Sequence, residues 1–596
     1  MIGEETTLEL QNPNLYPSAI PPTNLEPVIA VARGDRPADL LLKKARLVNV
    51  FTGEIEPTHV AIAGPWIAGF GEEYEDGDEV VDLSGSLLLP GLINGHFHLE
   101  SSLLSPAEYA RIALAHGTTS VVLDPHEIAN VLGIAGVWEM IQASEGLPLD
   151  FFFMAPSCVP ATTLETSGAV LTAEDLRTLW THPRVLGLGE VMDYPGVLDR
   201  DPVIMGKIQD ARRWGRILNG HCPLLSGRDL NAYLAAGMDS EHECTGREEA
   251  EEKLKRGMWV MIREGSAARN LKDLLPALTP RKAQRCLLVL DDLEASDLIS
   301  HGEIDSVIRL AISMGLDPMI AAQMATLNPA TRFGLRDRGA IAPGRRADLV
   351  AISDWESFRV LLTIKDGRIV AQEGRAIPFR GPSFGSRVTQ SVRMGSIGPG
   401  AFAIHLNSPK AWVIGLIPDQ IITRKLSLPI RKDPKGSVSA DLERDIVKIA
   451  VIERHRASGR IGKGLVQGLG LKRGALAASV AHDAHNVVVA GVADDDMAKA
   501  AQEIQKMQGG LVVVDQGEII ASLALPIAGL MSPESAETVA SKMNALKEAS
   551  RRIGTLPDNP FRTLSFLTLS VIPELKITDF GLVDGRSFQI IPLEAP

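Results

Sequence analysis

The chain has 596 residues, of which 45% are hydrophobic and 22% charged, the balance of a globular protein with a large buried core. Its net charge is −14, from 60 basic and 74 acidic residues, and this excess of acid argues against general binding to nucleic acids. No uncharged apolar run is long enough to cross a bilayer, so we expect no association with a membrane.

The cysteines and the first residues of the chain bear on the compartment. The four cysteines lie far apart with no Cys-x-x-Cys pair, which favours reduced thiols over a disulfide framework. The chain starts Met-Ile-Gly-Glu-Glu, which lacks the basic and then apolar pattern of a secretory signal. We therefore expect a cytoplasmic protein.

Two segments within the first 378 residues, one near the start and one near the end, show the same strand-like pattern. Residues 1–25 are rich in Pro, Asn and Thr and are predicted to form a flexible arm. Short alternating apolar runs with Gly turns follow at residues 38–86, and a similar pattern returns from Ile341 to Val370. We therefore predict that residues 26–88 and 336–378 join in one small β domain.

Between these stretches, residues 89–335 alternate apolar strand-like runs with helix-length segments such as Pro106–His116 and Ala173–Thr181. Eight strand-like runs in about 240 residues predict an α/β protein built on a (β/α)8 barrel. The eight runs are Leu92–His98, Thr118–Asp124, Phe151–Pro156, Val185–Glu190, Ile217–His221, Met238–His242, Met258–Arg263 and Cys286–Asp291.

The remainder of the chain is predicted to be separate from the barrel. Residues 379–392, rich in Pro, Gly, Ser and Arg, predict a linker, and residues 393–596 an α+β domain. We expect helices in this domain near Asp441–His455 and Ser535–Ala549. His482, Asp483 and His485 leave two interpretations open, a second metal site or a cover over the barrel mouth, of which we favour the cover.

Polar residues at the ends of the predicted barrel strands form the candidate site. His96 and His98 lie two residues apart, so the alternation of a strand points both imidazoles to one face. Only 13 histidines occur in the chain, yet four of them end barrel strands. The C-terminal ends of barrel strands build the mouth, where catalytic groups collect. The set is His96, His98, Asp124, Glu190, His221, His242 and Asp291.

Imidazoles and carboxylates in this number predict a site for two divalent metal ions. We expect Glu190 to bridge the ions and Glu243 to accept a hydrogen bond from a ligand histidine. A hydroxide shared by two such ions forms near neutral pH and acts as a nucleophile. Histidine and carboxylate ligands accept manganese, iron or zinc, and these residues alone leave the choice open. The other ligands divide between the ions, His96, His98 and Asp291 on one, His221 and His242 on the other.

The motifs around these residues resemble those of the amidohydrolase superfamily, from Pro90–His98 to Asn328–Ala330 and Gly339–Val350. Many members bridge their metals with a carboxylated lysine, but no lysine occurs here between Thr172 and Gly206. Among members bridged by a carboxylate, the chain is most similar to the adenine deaminase family. The stretches that carry this likeness are Asp124–Asn130, Pro156–Ala161, Glu165–Ala169, Gly189–Val197, Ile262–Asn270, His482–Asn486 and Met507–Gly510.

The resemblance implies an enzyme that hydrolyses adenine to hypoxanthine and ammonia. Hydroxide would attack C6, Glu127 would protonate N1, and Asp124 or Asp291 would pass the hydroxide proton to the departing amine. Leu290 stands where the family usually has Thr, before the pair Asp291 and Asp292, so either aspartate is a candidate ligand; we favour Asp291, the first after the strand. Residues implied to fix the purine are Arg263, Glu264 and Ser101, with Ser102 a weaker candidate.

Two alternative functions stay open. The metal site fixes the type of reaction but not the ring, so the substrate could be another cyclic amidine or amide. A catalytically inactive barrel that serves as a binding module is the alternative outside the enzymes. In either case the expected partners are a small molecule and a second copy of the chain in a homodimer.

Overall fold

The computed structural model describes residues 24–266, 268–418 and 420–596. Residues 1–23 of the predicted flexible arm therefore lie outside the described residues. The described part begins just before a short helix, Glu26–Ala32, whose Val31 packs into a small apolar cluster with Leu41 and Ala61.

One mixed sheet of nine strands combines segments from both sides of the barrel region. Strand Leu87–Pro90 pairs antiparallel with Leu349–Ile352, so a segment that precedes the barrel lies beside one that follows it. Apolar side chains from several strands of this sheet form a separate hydrophobic core. The strands are Ala38–Asn49, Glu54–Ala63, Trp66–Phe70, Gly77–Asp82, Leu87–Pro90, Leu349–Ile352, Val360–Lys365, Arg368–Gln372 and Arg375–Ala376.

Eight parallel strands follow one another through the central region, and each predicted run overlaps one of them. They are β1 (Leu92–Phe97), β2 (Thr118–Leu123), β3 (Asp150–Ala155), β4 (Val185–Val191), β5 (Ile217–Gly220), β6 (Ser240–Glu241), β7 (Trp259–Arg263) and β8 (Cys286–Val289). Most of their residues are buried, as expected for parallel strands covered on two faces.

The eight strands form two parallel sheets that meet at both ends. Strands β1 to β5 form one sheet in chain order, and β6 to β8 form the other. Beyond β8, Asp291 N–H donates to His96 O at 3.1 Å and His98 N–H donates to Asp291 O at 3.2 Å, which ties β8 to β1. Between β5 and β6, Gly220 N–H donates to Ser240 Oγ at 3.3 Å. The result is an α/β architecture around a parallel half-barrel sheet.

Helices surround these strands, and both predicted examples are confirmed as Pro106–Ala115 and Ala173–Trp180. Ser105 caps the first, and Thr172 with Asp175 forms a capping box on the second. No helix among the described residues is both long and apolar enough to span a membrane. The other helices are His126–Leu132, Ile134–Ala143, Tyr194–Asp199, Pro202–Arg213, Gly227–Ala236, Arg247–Lys255, Leu271–Leu274, Pro280–Ala283, Ala295–His301, Ile304–Ser313, Pro318–Met324 and Leu327–Arg332.

The C-terminal region contains a second large sheet, of eight strands, together with smaller pieces. Its strands are Lys410–Leu416, Thr423–Pro429, Ile446–Ile452, Ile461–Gln467, Ala475–Ala478, Val487–Gly491, Gly510–Asp515 and Glu518–Ala524. A two-stranded and a three-stranded sheet comprise Arg431–Lys432, Val438–Ser439, Leu575–Thr578, Gly581–Asp584 and Gln589–Ile591. The helices are Asp494–Met507, Ala536–Arg552 and Pro560–Leu567.

One of the two helix predictions for this region is wrong. Residues 446–452, inside the predicted helix Asp441–His455, form a strand whose seven residues are all buried. The run Ile-Val-Lys-Ile-Ala-Val-Ile is rich in β-branched residues, which favour strands, and it pairs with a neighbour on each side. The other prediction is confirmed, because Ala536–Arg552 is a helix capped by Ser535.

Candidate metal centre

The six predicted ligands lie together at the C-terminal ends of the strands. The imidazoles of His96 and His242 and the carboxylate of Asp291 place ligand atoms within 4.8 Å of one another. The same holds for His96, His98 and Glu190, and for Glu190, His221 and His242. Five of the six are buried, and His221 is the one that reaches toward solvent.

Glu190 stands at the centre of this cluster. Its Oε2 lies 2.8 Å from His242 Nε2 and 3.1 Å from His221 Nδ1. Its Oε1 faces another direction, 3.6 Å from His98 Nε2. Burial alone would raise the pKa of Glu190, but the imidazoles of His242 and His221 hold it well below its ordinary value. An ionised carboxylate whose oxygens face different histidines is suited to bridge two cations.

Asp291 faces the other side of the cluster. Its Oδ1 lies 3.2 Å from His98 Nε2 and 3.4 Å from His96 Nε2. Its backbone φ is 59°, a left-handed conformation that aspartate tolerates better than most residues. Asp292 instead accepts a hydrogen bond from Ser101 Oγ at 2.6 Å. This geometry favours Asp291 over Asp292 as the ligand.

Arg263, predicted to fix the purine, contacts Asp291 in the structure. Its Nη1 donates to Asp291 Oδ2 at 2.7 Å, and its guanidinium also pairs with both oxygens of Glu243. Glu243 Oε1 lies 3.6 Å from His242 Nε2 and so sits beside the cluster. The arrangement suits Arg263 to hold Asp291 in place.

Two other predicted purine contacts have local partners. Glu264 Oε1 accepts a hydrogen bond from Leu271 N–H at 2.7 Å, which caps the short helix that begins there, and the structure does not bring it into the cluster. Ser102 Oγ donates to Leu99 O at 2.6 Å. The sequence placed Glu264 at the end of a strand and Ser102 in a loop, but it did not give the direction of either side chain.

The sequence analysis missed His126, which lies inside the site. Its Nδ1 is 3.4 Å from Glu190 Oε1 and 3.7 Å from Asp124 Oδ1. Burial would lower the pKa of His126, but the nearby carboxylates of Asp124 and Glu190 raise it to about 10. The available signal was its place two residues beyond Asp124, just past the end of β2.

Glu127, Ser101 and Asp292 form a group of contacts beside the predicted ligands. Ser101 Oγ lies 2.9 Å from Glu127 Oε1 and 2.6 Å from Asp292 Oδ1. A hydroxyl has one proton for two carboxyl groups, so this geometry suits a protonated carboxyl on one side. Burial raises the pKa of Glu127, and the charge of Asp292 acts in the same direction. Glu127 is therefore placed to keep a proton for donation.

Two buried polar atoms in the cluster fit a bound cation. His96 Nε2 and Asp124 Oδ1 have no hydrogen-bond partner among the described residues. A buried polar group without a partner is costly, and a divalent ion would supply the partner. Nitrogen and carboxylate donors of this kind suit manganese, iron and zinc. The other oxygen of Asp124 accepts Glu190 N–H at 2.8 Å and ties the ends of β2 and β4 together.

The C-terminal region covers this end of the barrel. His482 Nδ1 lies 3.8 Å from Glu127 Oε1, and His485 Nε2 lies 3.9 Å from Glu127 Oε2. Beside them is a cavity whose walls include Ser101 and Asp292 from the barrel and Phe566 from the C-terminal region. The cavity therefore joins the two parts of the chain next to Glu127.

Comparison with known proteins places the chain among the amidohydrolases. Residues 87–370 match the amidohydrolase family and residues 420–589 the adenine deaminase C-terminal domain. The chain is 48% identical to adenine deaminase 2 of Carboxydothermus hydrogenoformans, over 96% of this chain and 99% of that protein. It is 46% identical to adenine deaminases of Dehalococcoides mccartyi and Methanothrix thermoacetophila, each over 96% of this chain and at least 99% of the relative. The chain belongs to the adenine deaminase family.

Proposed function

We propose that the protein catalyses the hydrolytic deamination of adenine to hypoxanthine and ammonia. The observation that carries the proposal is the meeting of four histidines and two carboxylates at one end of the parallel strands. The relatives that match nearly the whole chain are named adenine deaminase, which selects the purine among the rings that such a site could hydrolyse.

The residues fit two divalent ions, manganese or iron by preference and zinc as an alternative. When bound, such a pair lowers the pKa of water and so supplies a hydroxide nucleophile near neutral pH. Glu190 would bridge the ions. The other ligands are His96, His98 and Asp291 for one ion and His221 and His242 for the other, with His126 an added neighbour of Glu190.

The protein's own side chains would move the protons. Glu127, buried and suited to hold a proton, delivers it to N1 of the purine as C6 is attacked. Asp291, ionised beside Arg263, or Asp124, whose Oδ1 has no partner among the described residues, takes the nucleophile's proton and returns it to the departing amine. Ser101 lies between Glu127 and Asp292 and would hold the acid in place.

The domain layout is part of the same proposal. We assign residues 89–335 to a (β/α)8 barrel, residues 26–88 with 336–378 to the small β domain, and residues 393–596 to the C-terminal α+β domain after a linker at 379–392. The shared nine-stranded sheet and the bonds between β8 and β1 support these assignments. The homodimer and the cytoplasmic location stay predictions from the sequence.

The direct test is release of ammonia by the manganese-loaded protein from adenine, with cytosine, guanine and hydantoin in parallel. We expect turnover of adenine and of none of the others. Turnover of hydantoin but not adenine would favour the alternative of another cyclic amide. No turnover together with fewer than about one tightly bound metal ion per chain would favour an inactive binding barrel.

A further inference from the structure

Two histidines of the C-terminal region reach the acid proposed for the barrel. Glu127 is 1% exposed; Ser101 and His482 lie nearest its Oε1, and His485 faces its Oε2. Glu127 Oε2 and His485 Nε2 face each other at 3.9 Å. Neither atom has a hydrogen-bond partner among the described residues.

The local bonds of His485 determine which ring nitrogen carries the proton. Its Nδ1 lies 3.2 Å from Ala481 N and accepts that N–H, so Nδ1 must have a free lone pair. A neutral imidazole then carries its proton on Nε2, the atom that faces Glu127. Burial lowers the pKa of His485 well below its ordinary value, so the ring is neutral. A protonated Nε2 is a donor and cannot ligate a metal, which argues against a second metal site here.

His485 is held firmly enough to act as a fixed donor. Its backbone N–H donates to Ala481 O at 2.7 Å, and its carbonyl accepts a hydrogen bond from Arg454 Nε. The next residue, Asn486, donates from Nδ2 to Thr166 O of the barrel loop at 2.8 Å. The segment is therefore anchored both to the C-terminal sheet and to the barrel.

We propose that His485 is a positioning residue for the deamination, donating from Nε2 to Glu127 Oε2. Catalytic hydrogen bonds are often long without substrate and tighten when it binds, and the gap of 3.9 Å needs to close by only about 1 Å. With Oε2 engaged, the acidic proton sits on Oε1, on the side of Ser101 and the cavity. The C-terminal region is then a working part of the active site. This inference rests on the proposed function.

Two substitutions separate the donor from the local fold. His485→Asn retains a polar group where Nδ1 meets Ala481 but has nothing at the position of Nε2, whereas His485→Gln restores an N–H there. We expect His485→Asn to lower kcat for adenine roughly 10-fold or more, because proton transfer from a positioned acid contributes on the order of 100-fold or more. KM should change less than about threefold, because His485 acts on the acid and not on the purine. His485→Gln should recover most of the loss.

A double-substitution cycle tests whether His485 acts through Glu127. In the Glu127→Gln background, His485→Asn should have no further effect on kcat, since the carboxyl that it positions is gone. His455→Gln is the matched control, because this nearby, partly buried histidine contacts Ala484 O and not Glu127, and it should change kcat less than about twofold.

The outcomes distinguish this inference from the proposed function. Wild-type protein that does not deaminate adenine overturns both. Active wild type with undiminished kcat in His485→Asn, equal losses in the Asn and Gln variants, or additive losses with Glu127→Gln overturn the positioning role alone. Metal bound to the Glu127, His482 and His485 group in a metal-loaded structure would also overturn it.

Discussion

The carboxylate of Glu190 lies within 3.9 Å of ring nitrogens of five histidines, so its charge holds the site together. We predict that Glu190→Gln lowers kcat by more than the roughly 10- to 100-fold that a lost outer contact costs, because an amide cannot bridge two cations. Metal content, measured by mass spectrometry, should fall in parallel. Glu251→Gln, the same change on a helix surface, is the control. Full metal content in Glu190→Gln would contradict the bridging role.

Arg263 gives a second prediction, because its guanidinium joins Asp291 to Glu243. Arg263→Gln should weaken metal affinity roughly 10- to 100-fold, measured as the rate of inactivation by a chelator. Arg263→Lys should restore only part of it, because an ammonium cannot form the same fork. A higher KM for adenine with unchanged metal affinity would instead support the direct purine contact expected from the sequence.

At the scale of residues, the sequence predicts which residues meet at the site but not the orientation of each side chain. Parallel strands end at a common edge, so residues one or two positions past an apolar run were predicted together and are found together. Arg263 is oriented by Asp291, which is distant in the sequence, and Glu264 by the backbone of Leu271, which is near. The spacing of residues along a strand predicts neither contact. His126 was missed because the loop after β2 turns back over the site within two residues.

At the scale of elements, the eight short apolar runs of the central region were predicted as strands, whereas one such run in the C-terminal region was not. The barrel strands are short apolar runs bounded by polar residues, and each was located to within a few positions. Residues 446–452 form a similar apolar run but lie inside a segment that was predicted to be a helix. Tertiary packing decides the conformation of this segment, because the strand is buried between two neighbouring strands. A single sequence does not show those neighbours.

One pair of helices offers a pH-dependent prediction. His116, at the end of helix Pro106–Ala115, contacts Asp305 in the first turn of helix Ile304–Ser313 at 3.1 Å. Burial would lower the pKa of His116, but the bond to Asp305 raises it above its usual 6.5. The folded state therefore binds this proton more tightly, so the stabilisation is complete below pH 6.5 and is lost as pH rises through the raised pKa.

The corresponding variant is His116→Gln. We expect it to lower the free energy of unfolding by about 1 kcal/mol at pH 6, a fall in Tm on the order of 2 °C, and by less at pH 9. Thermal unfolding at the two pH values, at constant free metal, measures the difference. Equal losses at both values would show that the charge of His116 contributes nothing.

At the scale of the whole molecule, the barrel and the C-terminal region are joined around the site. Asp579, fully buried, accepts hydrogen bonds from Thr166 N–H at 2.8 Å and Thr166 Oγ1 at 2.6 Å. Thr166 lies on the same barrel loop that Asn486 contacts. The sequence predicted two separate domains and left the role of His482 and His485 open, because contacts between residues more than 300 positions apart have no local signal.

The metal ions should stabilise the whole barrel, because their ligands come from the first, fourth, fifth, sixth and last of its strands. Ions that bind only the folded state at about 1,000 times their Kd add about 4 kcal/mol of stability. Chelation should therefore lower Tm by roughly 8 °C or more, and manganese should restore it. The double variant His96→Ala with His98→Ala, which lacks half of one ion's ligands, should start with a lower Tm and respond little to chelator. If chelation lowered the Tm of this variant as much as that of the wild type, the stabilising ion would not be bound by His96 and His98.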